Sequence, residues 1–72
     1  MPLVHIDLVT GRSPDALAAM MTEVSEAIAR TLDAPIETVR IVVNEMQPHH
    51  YGIGGKPWPV IVEERRAAAA GG

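Results

Sequence analysis

The residue whose chemistry depends most on its place in this chain is Pro2, directly after the initiator methionine. A small side chain at this position generally allows removal of that methionine, which would leave a secondary amine at the N-terminus. Such an amine acts as a base or nucleophile when nearby cations and desolvation lower its pKa. A second interpretation is that Pro2 simply begins an edge strand. Position alone favours this second interpretation.

Arg12 and Arg40 are the candidates for recognising an anion. Arg40 lies in an otherwise apolar segment, where a guanidinium fork suits two-point binding of a carboxylate. Two arginines near one amine would bind a dianion and would also lower the pKa of that amine. The remaining arginines, Arg30, Arg65 and Arg66, are interpreted as solvated or locally paired.

Tyr51 precedes a glycine-rich turn, and its ring could line a pocket or pack on its own turn. Residues 52–55 lack the Gly-Lys-Ser/Thr ending and the strand–loop–helix setting of a phosphate loop, so nucleotide binding is not expected. The three histidines, His5, His49 and His50, have no metal-site spacing, and the chain has no cysteine. The residues therefore predict no metal site and no nucleotide-binding loop, and they exclude a disulfide.

Two strands are expected to position these residues. Residues 3–9 alternate with period two and are rich in β-branched side chains, as are residues 39–46. Thr10-Gly11-Arg12 is predicted to be a turn. A helix between the two strands makes a β-α-β unit, whose crossover implies parallel strands.

The helix between the strands is predicted over about residues 14–33. Ser13 is suited to cap it, Pro14 suits its first position, and Asp15 favours the positive end of the helix dipole. Pro35 ends it. Steps of three and four form one apolar stripe of Leu17, Met20, Met21, Val24, Ile28 and Leu32.

The C-terminal part is more irregular. Residues 47–59 contain three glycines and three prolines and predict turns or a hairpin. Val60-Ile61-Val62 could add a short strand. We divide the chain into one domain over residues 1–66 and a flexible tail over residues 67–72.

Seventy-two residues make one domain with a thin core. Without disulfides or metals, self-association is the expected route to stability. The net charge of −3 gives no basic footprint for nucleic acid. No apolar run reaches the roughly 18 residues of a membrane span. No secretory signal is evident, so a cytoplasmic protein without nucleic-acid or membrane partners is expected.

Parallel strands begin at the same end of a sheet, so Pro2 and Arg40 are expected to lie close together. Arg12 follows the first strand and belongs at the opposite end. It would join the other two from a neighbouring subunit or through the geometry of an oligomer, and the residues alone leave this open.

Over about residues 2–55 the chain resembles the 4-oxalocrotonate tautomerase family. The resemblance rests on motifs in matching order and spacing, each of which is weak alone. They are Pro2 after Met1, Gly11-Arg12-Ser13, Glu23-Val24-Ser25-Glu26-Ala27-Ile28, Leu32-Asp33-Ala34-Pro35, Val39-Arg40, Glu45-Met46 and Tyr51-Gly52-Ile53-Gly54-Gly55.

This resemblance implies an α+β fold in which β-α-β units pair into dimers and three dimers form a hexamer. It implies a cofactor-independent tautomerase acting on a small anionic enol such as 2-hydroxymuconate. Pro2 would be the general base, and Arg12 and Arg40, from different subunits, would hold the substrate carboxylates. Tyr51 would line the pocket, together with the lesser positions Val9 and Thr38.

Two departures from the family pattern keep other functions open. Tyr51 stands where the family commonly has Phe, and its hydroxyl could alter substrate choice or orient water, as in hydratase or dehalogenase relatives. A biosynthetic tautomerase that uses the same proline site is a separate alternative. The segment over residues 56–72 is longer than in short family members, and either covers the active site or contacts a neighbouring subunit. A non-catalytic oligomerising module is a further alternative, because fold alone does not fix function.

Overall fold

The computed structural model describes residues 1–71, which form an α+β fold built on one β-α-β unit. A short hairpin and a second helix follow this unit. The elements are β1 (Leu3–Val9), α1 (Pro14–Leu32), β2 (Arg40–Met46), β3 (Gly52–Ile53), β4 (Lys56–Pro57) and α2 (Trp58–Gly71), with 3-10 turns at Ile36–Thr38 and Pro48–His50.

Strands β1 and β2 pair in parallel, as the sequence predicts, with a register running from Leu3↔Arg40 to Val9↔Met46. A hydrogen bond from the Arg40 N–H to the Pro2 carbonyl (3.0 Å) extends the ladder at its starting end. At the other end the Thr10 N–H donates to the Met46 carbonyl (2.9 Å). The pairing therefore covers the whole length of both strands.

The ends of α1 are set by local chemistry. The Ser13 hydroxyl accepts a hydrogen bond from the Ala16 N–H (3.1 Å), and Pro14 occupies the first turn. At the C-terminal end Asp33 adopts a left-handed conformation (φ 53°, ψ 49°), and the Ala34 N–H donates to the Ala29 carbonyl (3.0 Å). The predicted boundaries are thus confirmed to within one residue.

One face of the two-stranded sheet is shielded and the other is open. Residues of β1 and β2 alternate between half-buried and exposed, and α1 packs on the shielded side. The open side carries Leu3 and Val42, which are 60% and 41% exposed, among the polar side chains His5, Asp7, Arg40 and Asn44. Leu32, predicted as part of the apolar stripe, is 64% exposed, because the single chain brings no second layer to the end of α1.

The chain buries little of its own surface. Its accessible surface is 5313 Å², and none of the residues 1–71 is fully buried. A compact monomer of this mass would expose about 4,300 Å². Its radius of gyration is 16.7 Å, and its longest dimension is 50 Å. About 11 Å is usual for a compact domain of this length. This excess surface includes exposed apolar side chains, such as Leu3, Leu32 and Val42, that an assembly would cover.

The glycine-rich segment forms the expected hairpin. Gly54 and Gly55 have φ angles of 60° and 84°. A two-residue type I′ hairpin turn requires positive φ at both of its central residues. The turn pairs β3 with β4 in antiparallel fashion, with Gly52 opposite Pro57.

The prediction of a strand at Val60-Ile61-Val62 was wrong, because these residues lie in α2. Pro59 is suited to the first turn of a helix, and the Glu, Arg and Ala residues that follow are strong helix formers. Residues 67–71, predicted as a flexible tail, continue the same helix, whereas Gly72 lies outside the described residues.

Ion pairs on the surface of α2 fit this helical conformation. Arg66 donates two hydrogen bonds to the Glu63 carboxylate one turn earlier, which lowers the pKa of Glu63 and raises the pKa of Arg66. Lys56 in β4 pairs with Glu64 at 2.8 Å and joins the hairpin to the helix. Within residues 1–71, neither helix is both long and apolar enough to cross a membrane.

We expect the protein to sediment as an oligomer, because its open sheet face carries Leu3 and Val42 without a covering layer. Val42→Lys should weaken assembly, since it places an ammonium where a partner would otherwise cover an apolar side chain. Glu26→Lys, on the exposed side of α1, is the matched control and should leave assembly unchanged. Analytical ultracentrifugation across a dilution series is the measurement, and a stable monomer of the unmodified chain would contradict the expectation.

Candidate active site

A cavity of about 430 Å³ lies at the end of the sheet where β1 finishes. It brings together three of the residues that the sequence singled out, Val9, Arg12 and Tyr51. The sequence had not identified the other lining residues, which are Asp7, Leu8, Thr10, Met46 and Trp58. Its volume lies within the usual range of pockets that bury a small ligand.

Arg12 reaches this cavity because the chain turns sharply after β1. Gly11 has a φ of 133°, a conformation that residues with a Cβ rarely adopt. The Arg12 guanidinium then folds back and donates to the Val9 carbonyl at 3.2 Å. This bond uses one of the five N–H groups of the guanidinium, so most of the fork stays available to an anion.

Tyr51 and Trp58 form an aromatic wall of the cavity. Their ring centroids are 5.6 Å apart with an interplanar angle of 58°. The backbone N–H of Trp58 donates to the backbone carbonyl of Tyr51 at 2.7 Å. This bond continues the hairpin ladder by one residue on each strand beyond the Gly52↔Pro57 pair. A two-residue turn at Gly54-Gly55 sets this register, so the glycine pair was the signal that could have placed Trp58 opposite Tyr51.

The other predicted site residues lie at the opposite end of the sheet. Pro2 and Arg40 are joined there by the backbone hydrogen bond that begins the ladder. Thr38 lies in the turn before β2, where its hydroxyl donates to the Pro35 carbonyl at 2.7 Å. Strand β1 rises about 3.3 Å per residue over the six steps from Leu3 to Val9, so this end lies about 20 Å from the cavity. Within one chain, Pro2 and Arg40 therefore do not meet Arg12.

The guanidinium groups at both ends lack carboxylate partners among residues 1–71. The ion pairs in this part of the chain join Lys56 to Glu64 and Glu63 to Arg66. Arg12 and Arg40 are consequently available to bind an external anion. The same described residues contain no cluster of three or more acidic, His or Cys side chains able to hold a metal ion.

Comparison with known proteins identifies the family. The family model described as tautomerase enzyme matches residues 2–59. A 2-hydroxymuconate tautomerase of Pseudomonas putida is 47% identical over 57 residues, which cover 79% of this chain and 90% of the relative. The chain belongs to the tautomerase family. The predicted family, and with it an isomerase of the tautomerase type, are confirmed.

Solved structures agree with this assignment. A 4-oxalocrotonate tautomerase homologue of the tomaymycin biosynthetic pathway is 38% identical, with a TM-score of 0.78 over 92% of this tautomerase and 95% of the neighbour. The heterohexameric 4-oxalocrotonate tautomerase of Chloroflexus aurantiacus is 32% identical, with a TM-score of 0.79 and coverages of 82% and 95%. The predicted α+β tautomerase fold is thereby confirmed.

Replacing Tyr51 separates the role of its ring from that of its hydroxyl. Tyr51→Phe should change the free energy of unfolding by less than about 0.5 kcal/mol, because the ring contact with Trp58 remains. Tyr51→Ala should cost at least about 0.5–1.5 kcal/mol, because the aromatic pair is lost. Thermal unfolding at fixed protein concentration is the measurement. Equal losses in both variants would contradict this account of the wall.

Proposed function

We propose that this tautomerase converts the enol form of an unsaturated dicarboxylate, such as 2-hydroxymuconate, into the conjugated ketone. Pro2 is the general base after removal of Met1, and the reaction uses no cofactor. Arg12 and Arg40 bind the two carboxylates, and one of the two also polarises the oxygen at carbon 2. Tyr51, with Val9 and Thr38 as lesser contacts, lines the site.

The reaction consists of two proton movements. The Pro2 amine removes the proton from the dienol oxygen, and the resulting electron pair shifts along the conjugated chain. The protonated amine then returns a proton to carbon, so the product is an isomer and the base is regenerated. A guanidinium near the developing oxyanion stabilises negative charge where it forms, which is a large term in catalysis of this type.

The observation that carries the proposal is the presence of complementary half-sites at the two ends of the sheet. One end holds Pro2 beside Arg40, and the other holds Arg12 in a cavity with an aromatic wall. A dicarboxylate needs one cation at each terminus and a base between them. Two copies that bring unlike ends together would supply all three groups, which is why we infer an oligomeric enzyme.

A homohexamer is the assembly we propose for this chain. The heterohexameric neighbour from Chloroflexus aurantiacus supports an assembly of six subunits. The uncovered sheet face and the excess surface support it physically, since a two-stranded sheet alone is too small to be stable. A cytoplasmic location remains a prediction.

Pro2→Ala should lower turnover of 2-hydroxymuconate by about 10²–10⁴-fold, the usual contribution of a general base. The ultraviolet assay of ketonisation measures this loss. Intact mass must first show that Met1 is absent, because a retained Met1 would convert the Pro2 nitrogen into an amide. Sedimentation should be unchanged in the variant, and unchanged turnover would refute the assignment of the base.

Mixing variants tests whether the site is shared between chains. Pro2→Ala and Arg12→Ala subunits should each be nearly inactive. When they are denatured together and refolded at equal amounts, about a quarter of the sites in a symmetric assembly would contain both an intact Pro2 and an intact Arg12. We therefore expect the activity of the mixed assembly to rise towards about a quarter of the wild-type activity. No recovery, despite confirmed mixed assembly by mass spectrometry, would contradict a shared site.

Arg40→Ala tests recognition of the second carboxylate. Losing a charge-assisted pair costs about 1.5–3 kcal/mol, so kcat/KM for 2-hydroxymuconate should fall about tenfold or more. The enol of an arylpyruvate carries one carboxylate and should lose less. Arg30→Ala, on the exposed last turn of α1, is the control and should leave both rates unchanged. Equal losses on the two substrates would argue against dicarboxylate recognition.

A further inference from the structure

Trp58 is the aromatic side chain of the cavity to which the reaction above gives no role. It is the only tryptophan of the chain, it is half-buried, and it lies at the junction between the hairpin and α2. The sequence analysis assigned no individual role to Trp58; it placed this residue only within the segment of residues 56–72, which was expected to cover the active site or to contact a neighbouring subunit. Its position opposite Tyr51 gives the cavity an aromatic surface close to Arg12.

Three interactions fix the position of Trp58. The backbone N–H of Trp58 donates a hydrogen bond to the backbone carbonyl of Tyr51, and the Trp58 ring contacts the Tyr51 ring. The Arg65 guanidinium lies 5.3 Å from the centroid of the indole, within the range of a cation–π interaction. The Lys56–Glu64 ion pair also joins β4 to α2 around this junction. The indole is therefore held in a defined orientation.

A fixed indole discriminates between ligands by shape. A conjugated dicarboxylate is planar and presents a π-face, whereas its saturated counterpart is flexible and presents only methylene groups. Aromatic side chains gain additional energy from offset or edge contacts with another π-system. A flexible ligand also loses more conformational freedom when it binds in one arrangement.

We propose that Trp58 is a specificity-determining residue that selects planar, conjugated dicarboxylates, and that Arg65 is a positioning residue for its indole. The inference rests on the proposed function, since it concerns the substrate that Arg12 binds. Arg12 supplies affinity for the charge, which conjugated and saturated dicarboxylates share. Trp58 supplies the preference for the conjugated carbon chain.

Muconate and adipate are matched probes for this selection. Both have six carbons and two carboxylates, but muconate is conjugated and adipate is saturated, and neither carries the enol hydroxyl that reacts. Calorimetric titration of the intact, Met1-free oligomer should give muconate an affinity about three- to tenfold higher than that of adipate. Muconate should also quench the fluorescence of Trp58, which is the sole tryptophan reporter.

Variants of Trp58 test whether this side chain causes the preference for muconate over adipate. Trp58→Leu should bind the two probes with equal affinity, because it keeps an apolar wall without a π-face. Trp58→Phe should retain part of the preference. Arg12→Ala should weaken binding of both probes by the same factor. A full preference for muconate in Trp58→Leu would overturn the proposal.

Variants of Arg65 test its positioning role. Arg65→Met removes the cation but keeps a long side chain, so it should lower the fluorescence anisotropy of Trp58 and reduce the preference for muconate. Arg65→Lys should restore both in part, while Arg30→Met is the control on α1. Unchanged anisotropy and preference in Arg65→Met would refute the role of Arg65.

Binding of the two probes to the wild-type protein tests the role of Trp58 and the recognition of dicarboxylates separately. Equal affinity for muconate and adipate, or absence of fluorescence quenching by muconate, would overturn the role of Trp58 while leaving dicarboxylate recognition intact. Failure to bind either probe would overturn dicarboxylate recognition, and the role of Trp58 with it.

Discussion

The parallel pairing of β1 with β2 is the constraint on which the other features of this tautomerase depend. It brings Pro2 and Arg40 together where both strands begin, and it carries Arg12 to the far end of the sheet. The strand between them is too long for side chains to bridge. A site that uses both ends must therefore combine residues from separate copies, so topology alone links catalysis to assembly.

The same small sheet creates the need for assembly on energetic grounds. A two-stranded unit with one helix shields one face and leaves the apolar groups of the other, such as Leu3 and Val42, in water. Burying apolar surface contributes about 25 cal/mol per Å², so covering this face stabilises an oligomer without additional chain length. Stability and formation of the shared site are thus expected to depend on one association equilibrium.

Local signals explain how much of the structure could be predicted from the sequence. The alternation in β1 and the Ser13 cap are determined by neighbouring residues, and their predicted positions agree with the structure. The segment Val60-Ile61-Val62 was misjudged because the strand preference of β-branched residues depends on context, and here Pro59 and the Glu, Arg and Ala residues that follow favour a helix. The contact of Trp58 with Tyr51 was not predicted, because it depends on pairing across the hairpin, which single-residue propensities do not capture.

The two walls of the cavity differ in what supports them. Arg12 is held by the loop between β1 and α1, and therefore by the β-α-β unit itself, whereas Trp58 is held by the hairpin and the start of α2. Changes in the C-terminal segment can alter the aromatic wall without disturbing the strands that carry Pro2 and Arg40. Because the scaffold and the aromatic wall are separate, one fold can retain its proton-transfer chemistry while its substrate preference changes.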